Sequence, residues 1–185
     1  MNAHPGAALA IADPPYLGRA QRWYGAGGRA SGGGLHRADE HPDAAEWDTP
    51  ARHERLVREL HERFDGWAIA AAPSSLATYL PLLPEGTRTL IWHKTNAVPS
   101  AHRVRWSWEP VFVYAPPARR LHGAGIPIND VLVAPFERRG FAGAKPTAWT
   151  RWVLDALGHT DQDTVTDVFA GSGAVAAATA QGVLL

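Results

Sequence analysis

The chain has 185 residues, 45% of them apolar, with eight Trp, and its 18 basic and 18 acidic side chains cancel. That length and apolar share predict one folded domain. The absence of Cys excludes disulfides, thiolate metal sites and Cys nucleophiles, and no apolar run is long enough to span a bilayer. The opening residues lack the charged and apolar regions of a signal peptide, so a cytoplasmic protein with no membrane partner is expected.

Residues 7–12 form a short apolar run that stops at Asp13-Pro14-Pro15-Tyr16, which predicts a buried strand ending at a stiff turn. Residues 17–50 are polar and Gly-rich and read as a long mobile loop. Asp48 or Thr49 can cap a helix with Pro50 in its first turn, Leu56, Val57, Leu60 and Phe64 on one face, and Gly66 as its stop. Residues 67–72 read as a buried strand, and residues 74–83 as a short helix cut by Pro81. Strands are also predicted over 87–93 and 105–114. Residues 117–145 look irregular apart from a short apolar piece at 131–133. A helix over 147–157 with Gly158 as its stop follows. Last come a strand over 164–169, a turn at Gly171-Ser172-Gly173 and an Ala-rich helix over 174–180. Alternating strands and helices predict an α/β sheet, mostly parallel. The chain divides into residues 1–116, an irregular basic segment over 117–145, and residues 146–185.

The charge is unevenly spread. Residues 88–151 hold ten Lys/Arg against three Asp/Glu. Lys94, Arg103, Arg105, Arg119, Arg120, Arg138 and Arg139 make this stretch a candidate footprint for a polyanion, or else a solvated face with distant acids beside it. His36, Asp39, Glu40, His41 and Asp43 lack regular ligand spacing, so no metal site is expected. Trp23 and Tyr24 are placed either to stack on bases or to pack their own loop. Trp106 and Trp108 share one side of a strand, which predicts sheet packing.

Two motifs carry chemistry. In Asp167-Val168-Phe169-Ala170-Gly171-Ser172-Gly173, a strand enters a glycine turn and then a helix. Glycine lets a ligand approach the backbone, and the helix start supplies free N–H groups. In Asp13-Pro14-Pro15-Tyr16, proline holds a carboxylate and a carbonyl in place as paired acceptors for an exocyclic amine, and Tyr16 offers a stacking face. Alone, each also fits an ordinary turn.

Together these segments resemble the hallmark motifs of the amino-group DNA methyltransferases, which methylate adenine N6 or cytosine N4. The order is that of the permuted class, with the catalytic motif before the cofactor motif. Ile91-Trp92-His93-Lys94 and Trp108-Glu109-Pro110-Val111-Phe112-Val113-Tyr114 are similar to that family's paired strands, and Ala144-Lys145-Pro146 to its Lys-Pro element. The match covers most of residues 7–185.

The resemblance implies a Rossmann-like, seven-stranded sheet flanked by helices that binds S-adenosylmethionine. It implies that Gly171, Ser172 and Gly173 wrap the methionine and ribose, flanked by Phe169 and Asp167, with Lys145, Pro146 and Thr147 as a second wall. Asp13 and the Pro14 carbonyl would accept bonds from the target amine, Pro15 would stiffen the turn, and Tyr16 would stack on the extruded base. DNA is the implied partner, with RNA as an alternative. Adenine N6 is favoured over cytosine N4 because Asp stands first in the motif. The chain ends at Gly182-Val183-Leu184-Leu185 without the family's usual ribose-holding acid or its last strand and helix. It also leaves little room for a recognition domain, so a second copy or partner subunit is an expected helper. A degenerate relative that only binds nucleic acid is the competing reading.

Overall fold

The computed structural model describes residues 6–26, 40–97, 103–121, 127–136 and 145–169. Its strands are β1 (Ala8–Ala12), β2 (Gly66–Ala70), β3 (Arg88–His93), β4 (Trp108–Tyr114), β5 (Val131–Val133) and β6 (Thr164–Asp167), and its helices α1 (Ala20–Tyr24), α2 (Pro50–Arg63), α3 (Leu76–Tyr79) and α4 (Thr147–Leu157). The strands form one sheet in the order β5-β3-β4-β2-β1-β6. Only β4 runs against its neighbours. Six strands are therefore seen among the described residues where the resemblance implied seven.

Side chains alternate between the two faces of a strand, and this alternation builds two cores. Leu9 and Ile11 of β1, Ala68 and Ala70 of β2, and Val111 and Val113 of β4 pack against Trp149, Val153 and Leu157 of α4. Ala10 and Ala12, Trp67 and Ile69, and Phe112 point the other way, onto Leu56, Val57 and Leu60 of α2, with Trp47 and Tyr79 beside them. Each fully buried aliphatic or aromatic side chain contributes about 1.5–3 kcal/mol. The result is a sheet sandwiched between helices, as the alternating pattern predicts.

Helix α2 starts at Pro50, whose fixed φ suits a first turn. Its N-cap, Thr49, donates its hydroxyl to the Glu46 carbonyl instead of capping the helix. Asp48 is likewise not the cap: its carboxylate accepts the N–H groups of Ala20 and Gln21 and pins α1 down. Gly66, expected to stop α2, instead opens β2, and the helix ends at Arg63. Gly66 is tightly wedged against Pro116 and Leu9, so a Cβ there has no room. Gly158 does end α4 as expected, in the left-handed region at φ 68°.

Strand β4 begins at Trp108, later than predicted, so Trp106 lies outside the sheet and is 42% exposed. Among the described residues, no helix is long and apolar enough to cross a membrane.

Candidate active site

The parallel strands β1, β2, β3, β5 and β6 all finish at one end of the sheet, where β4 begins. Three polar residues reach that end on the α4 face by strand parity. Asp13 continues the Leu9–Ile11 row, Glu109 precedes Val111 and Val113, and Lys94 continues Leu90 and Trp92. Lys145 stands just ahead of α4 and meets them.

A continuous polar cluster results. Lys145 Nζ donates to both carboxylate oxygens of Asp13, at 2.7 and 2.8 Å, and to the Tyr16 hydroxyl at 3.0 Å. Tyr16 in turn donates to Glu109 Oε2 at 2.7 Å. Glu109 Oε1 accepts from Lys94 at 2.8 Å, and Glu109 Oε2 lies 3.6 Å from Lys145. The Lys145 side chain is 7% exposed, while that of Asp13 is 30% exposed and faces the opening. Lys145 also lies near the Tyr16 and Trp149 rings, at 5.1 and 5.7 Å from their centroids.

Burial pushes the Asp13 carboxyl above its ordinary range, and the Lys145 ammonium offsets only part of that rise; Glu109 and Asp167 add to it. Burial acts upward on Glu109 too, but Lys145, Lys94 and the Tyr16 hydroxyl together hold it below its ordinary value. Desolvation disfavours the Lys145 charge, yet Asp13 and Glu109 outweigh it and keep the ammonium charged. Burial, then the Glu109 and Asp13 charges, push the Tyr16 hydroxyl well up, so it stays a proton donor.

The second motif arrives next door. Strand β6 pairs directly with β1, and the Val168 N–H donates to the Ile11 carbonyl at 3.0 Å, which keeps the chain leaving β6 beside the end of β1. Asp167 is half-buried, and burial raises its carboxyl. Its Oδ1 accepts the Phe169 N–H at 3.2 Å, and the Phe169 ring lies edge-on to Trp47, with centroids 5.0 Å apart. Trp47 is fixed from behind by buried His53. A carbonyl can only accept, so His53 Nε2 donates to the Trp47 carbonyl at 2.8 Å and Nδ1 accepts from the Tyr79 hydroxyl at 2.7 Å. Gly171, Ser172 and Gly173, with Arg138, Arg139 and the helix expected over 174–180, lie outside the described residues.

Helix α4 starts two residues after Lys145. Pro146 is its N-cap and offers no side-chain cap, and the Thr147 and Ala148 N–H groups have no partner among the described residues. Thr150 Oγ1 and Trp149 Nε1 in its first turn are buried without partners among the described residues, whereas the two free backbone N–H groups lie at the helix start. Such a donor set fits an anionic group. Lys145, expected as part of a cofactor wall, donates to Asp13.

The basic residues separate. Arg103 and Arg105 are exposed in the connection between β3 and β4, at the same end as Asp13. The Arg19 guanidinium lies 5.4 Å from the Trp106 ring, and Arg22 lies 5.4 Å from that of Trp23. Lys94, expected on phosphate, is engaged by Glu109. Arg119 and Arg120 sit at the opposite end of the sheet, along a cavity of about 760 Å³. Arg119 is buried in an ion pair with Asp163 at 2.6 Å, and Arg120 stacks on Tyr114 at 4.3 Å, so neither belongs with the Asp13 cluster. Glu109 was not singled out as a site residue from the sequence. Its parity with Val111 and Val113, in a strand otherwise apolar up to Tyr114, was the available signal.

No protein-family profile and no curated protein sequence matches the chain. Among solved structures, it is similar to the crystal structure of an M1.HpyAVI-SAM complex, with a TM-score of 0.55, 14% identity, and coverage of 96% of this chain and 78% of the other. The chain shares the fold of that protein.

Proposed function

We propose that this protein is an S-adenosylmethionine-dependent methyltransferase of the permuted amino-group class, acting on adenine N6 in nucleic acid, most readily DNA. The observation that carries the reading is the juxtaposition of Asp13 with the end of β6, the strand that leads into Gly171-Ser172-Gly173. Ligands of open α/β sheets bind beyond the carboxyl ends of such strands. M1.HpyAVI, which has this fold, is solved with SAM.

When bound, S-adenosylmethionine supplies an electrophilic methyl group. The α4 start, through the Thr147 and Ala148 N–H groups, suits the cofactor's carboxylate, and Asp167 and Phe169 would flank the cofactor. Asp13 does the main work on the other reactant. An aromatic amine is a poor nucleophile because its lone pair is delocalised into the ring. A carboxylate and the Pro14 carbonyl, accepting its two N–H groups, draw the nitrogen towards sp³ and localise that pair. Positioning and electrostatics then supply most of the acceleration. Pro14 and Pro15 are buried, which keeps these acceptors in place. Tyr16 presents its ring to the base. Arg19, Arg22, Arg103 and Arg105, interleaved with Trp23 and Trp106, suit a phosphate backbone and unstacked bases. A base must leave a duplex to reach Asp13, at a cost of a few kcal/mol.

The test is transfer of labelled methyl to unmethylated DNA, with the product identified as N6-methyladenine. Asp13→Ala is expected to abolish labelling in a protein that still folds. A folded wild type that labels neither DNA nor RNA refutes the reading.

A further inference from the structure

Asp13 has two carboxylate oxygens, and one ammonium already occupies both. Among the described residues, Lys145 is the only donor to that carboxylate. A target amine needs the same acceptors, so the amine and Lys145 compete for one seat. The second carboxylate of the cluster supplies a way out. Glu109 Oε2 lies 3.6 Å from the same Nζ, within ionic attraction but beyond a hydrogen bond, and a shift of about 1 Å closes that gap. The Tyr16 hydroxyl touches both partners, accepting from Lys145 at 3.0 Å and donating to Glu109 at 2.7 Å. The four-carbon stem of lysine makes such a shift easy.

We propose that Lys145 is a displaceable stand-in for the target amine and that Glu109 is the seat that receives it, which makes Glu109 a positioning residue acting through Lys145. The inference rests on the methyltransferase reading above. With no base present, Lys145 caps Asp13 and keeps a buried carboxylate satisfied. As the base enters, its N–H groups replace the ammonium on Asp13, and Lys145 moves onto Glu109 without leaving the cluster. No net charge enters or leaves. Lys94 stays on Glu109 Oε1, which leaves Oε2 facing Lys145.

The test is a double-mutant cycle on the full chain, read as kcat/KM for unmethylated DNA and as cofactor Kd by calorimetry. Glu109→Gln is expected to lower kcat/KM by about tenfold or more with cofactor Kd within about twofold, because the carboxylate that receives Lys145 is then neutral. In a Lys145→Met background, the same Glu109→Gln change is expected to alter kcat/KM by less than about twofold, since the residue it acts through is gone. Lys145→Met should also move the acid limb of the pH–rate profile upward, because Asp13 loses its counter-ion. If Glu109→Gln fails to fold, Glu109→Asp, which keeps the charge but withdraws it, takes its place with a smaller loss in the same direction. Equal losses from Glu109 substitution in both backgrounds, or none in the wild-type background, overturn the inference while leaving the methyltransferase reading intact. A wild type that methylates nothing overturns the parent reading, and this one with it.

Discussion

Both ends of the sheet pair an acid with a buried base, and the two pairs are built differently. At the amino end of the parallel strands, Asp163 accepts four hydrogen bonds: two from the Arg119 guanidinium at 2.6 and 2.8 Å, and one each from the Ala7 and Thr160 N–H groups at 2.7 Å. Both side chains are nearly sealed, at 3% and 0% exposure. Burial acts upward on the Asp163 carboxyl, but these donors overwhelm it and hold the group far below the carboxylate range. At the carboxyl end, Asp13 accepts from Lys145 alone among the described residues, and burial wins. A saturated acid fixes the chain where β1, β6 and the segment after β4 meet. An acid held by a single ammonium can exchange that donor for a ligand. The same sheet therefore carries a lock at one end and an exchangeable pair at the other.

The largest effect expected is on the lock. Arg119→Met leaves Asp163 buried without its counter-ion and should cost about 3–5 kcal/mol of unfolding free energy, measured by urea titration. Methyl transfer by the folded fraction should be unchanged, because no residue of the Asp13 cluster touches Arg119. Loss of activity in a fully folded Arg119→Met protein would show that the two ends are coupled, and the contrast between them would fail.

The reactive end should answer with a smaller stability change. Asp13→Asn keeps the shape and removes a charge that folding disfavours. Stability should fall by less than Arg119→Met costs, because Lys145 keeps Glu109 as a second counter-ion 3.6 Å away. Methyl transfer should meanwhile drop by about 10²–10³-fold, the scale of losing one preorganised polar group. A destabilisation as large as that of Arg119→Met would mean that Asp13 is also structural.

Acid titration separates the two acids by sign. The folded Asp163 carboxyl lies below its unfolded value near 3.8, so its contribution is complete above that value and is lost as pH falls from there through the lower folded value. The folded Asp13 carboxyl lies above 3.8, so the folded state takes up its proton first and gains relative stability as pH falls towards 3.8. His53 adds a third change. Burial lowers its folded pKa below 6.5, so the unfolded state protonates first and stability declines as pH falls from 6.5. Thermal midpoints from pH 7 to 3 should thus show the stability difference between wild type and Asp13→Asn moving in the wild type's favour as pH falls. A difference independent of pH would contradict the raised Asp13 carboxyl.

The frame of the Asp13 end was legible in the sequence; the pairings were not. Strand parity in residues 8–12, 67–70 and 108–114 dictates which side chains face α4, and the same parity carries Asp13, Glu109 and Lys94 to one place. The turn chemistry of Asp13-Pro14-Pro15-Tyr16 marked the strand end. Arg119 was misread because composition shows a basic stretch and not the acid that folds onto it from 44 positions away. Lys145 was assigned to a cofactor wall by motif, and only the fold shows it reaching Asp13 across 132 positions. Trp106 was expected in the sheet, but β4 starts two residues later, and its ring is held by Arg19 instead. Long-range pairings of this kind are what local periodicity cannot encode.

The smallest expected effect tests whether burial, rather than charge pairing itself, makes the lock strong. Arg55 and Glu46 also form an ion pair, at 3.9 Å, with side chains 51% and 59% exposed. Water already solvates both groups and screens their attraction, and holding two long side chains together costs rotamer freedom. Glu46→Gln should therefore change unfolding free energy by less than about 0.5 kcal/mol, with no dependence on salt beyond that margin. The Asp163 carboxylate differs from Glu46 in two respects, the exclusion of water and the backbone donors that hold it. If Glu46→Gln cost more than about 1 kcal/mol, an acid–base contact with neither feature would be doing the work assigned to them. The strength of the Arg119–Asp163 lock could then no longer be credited to its burial.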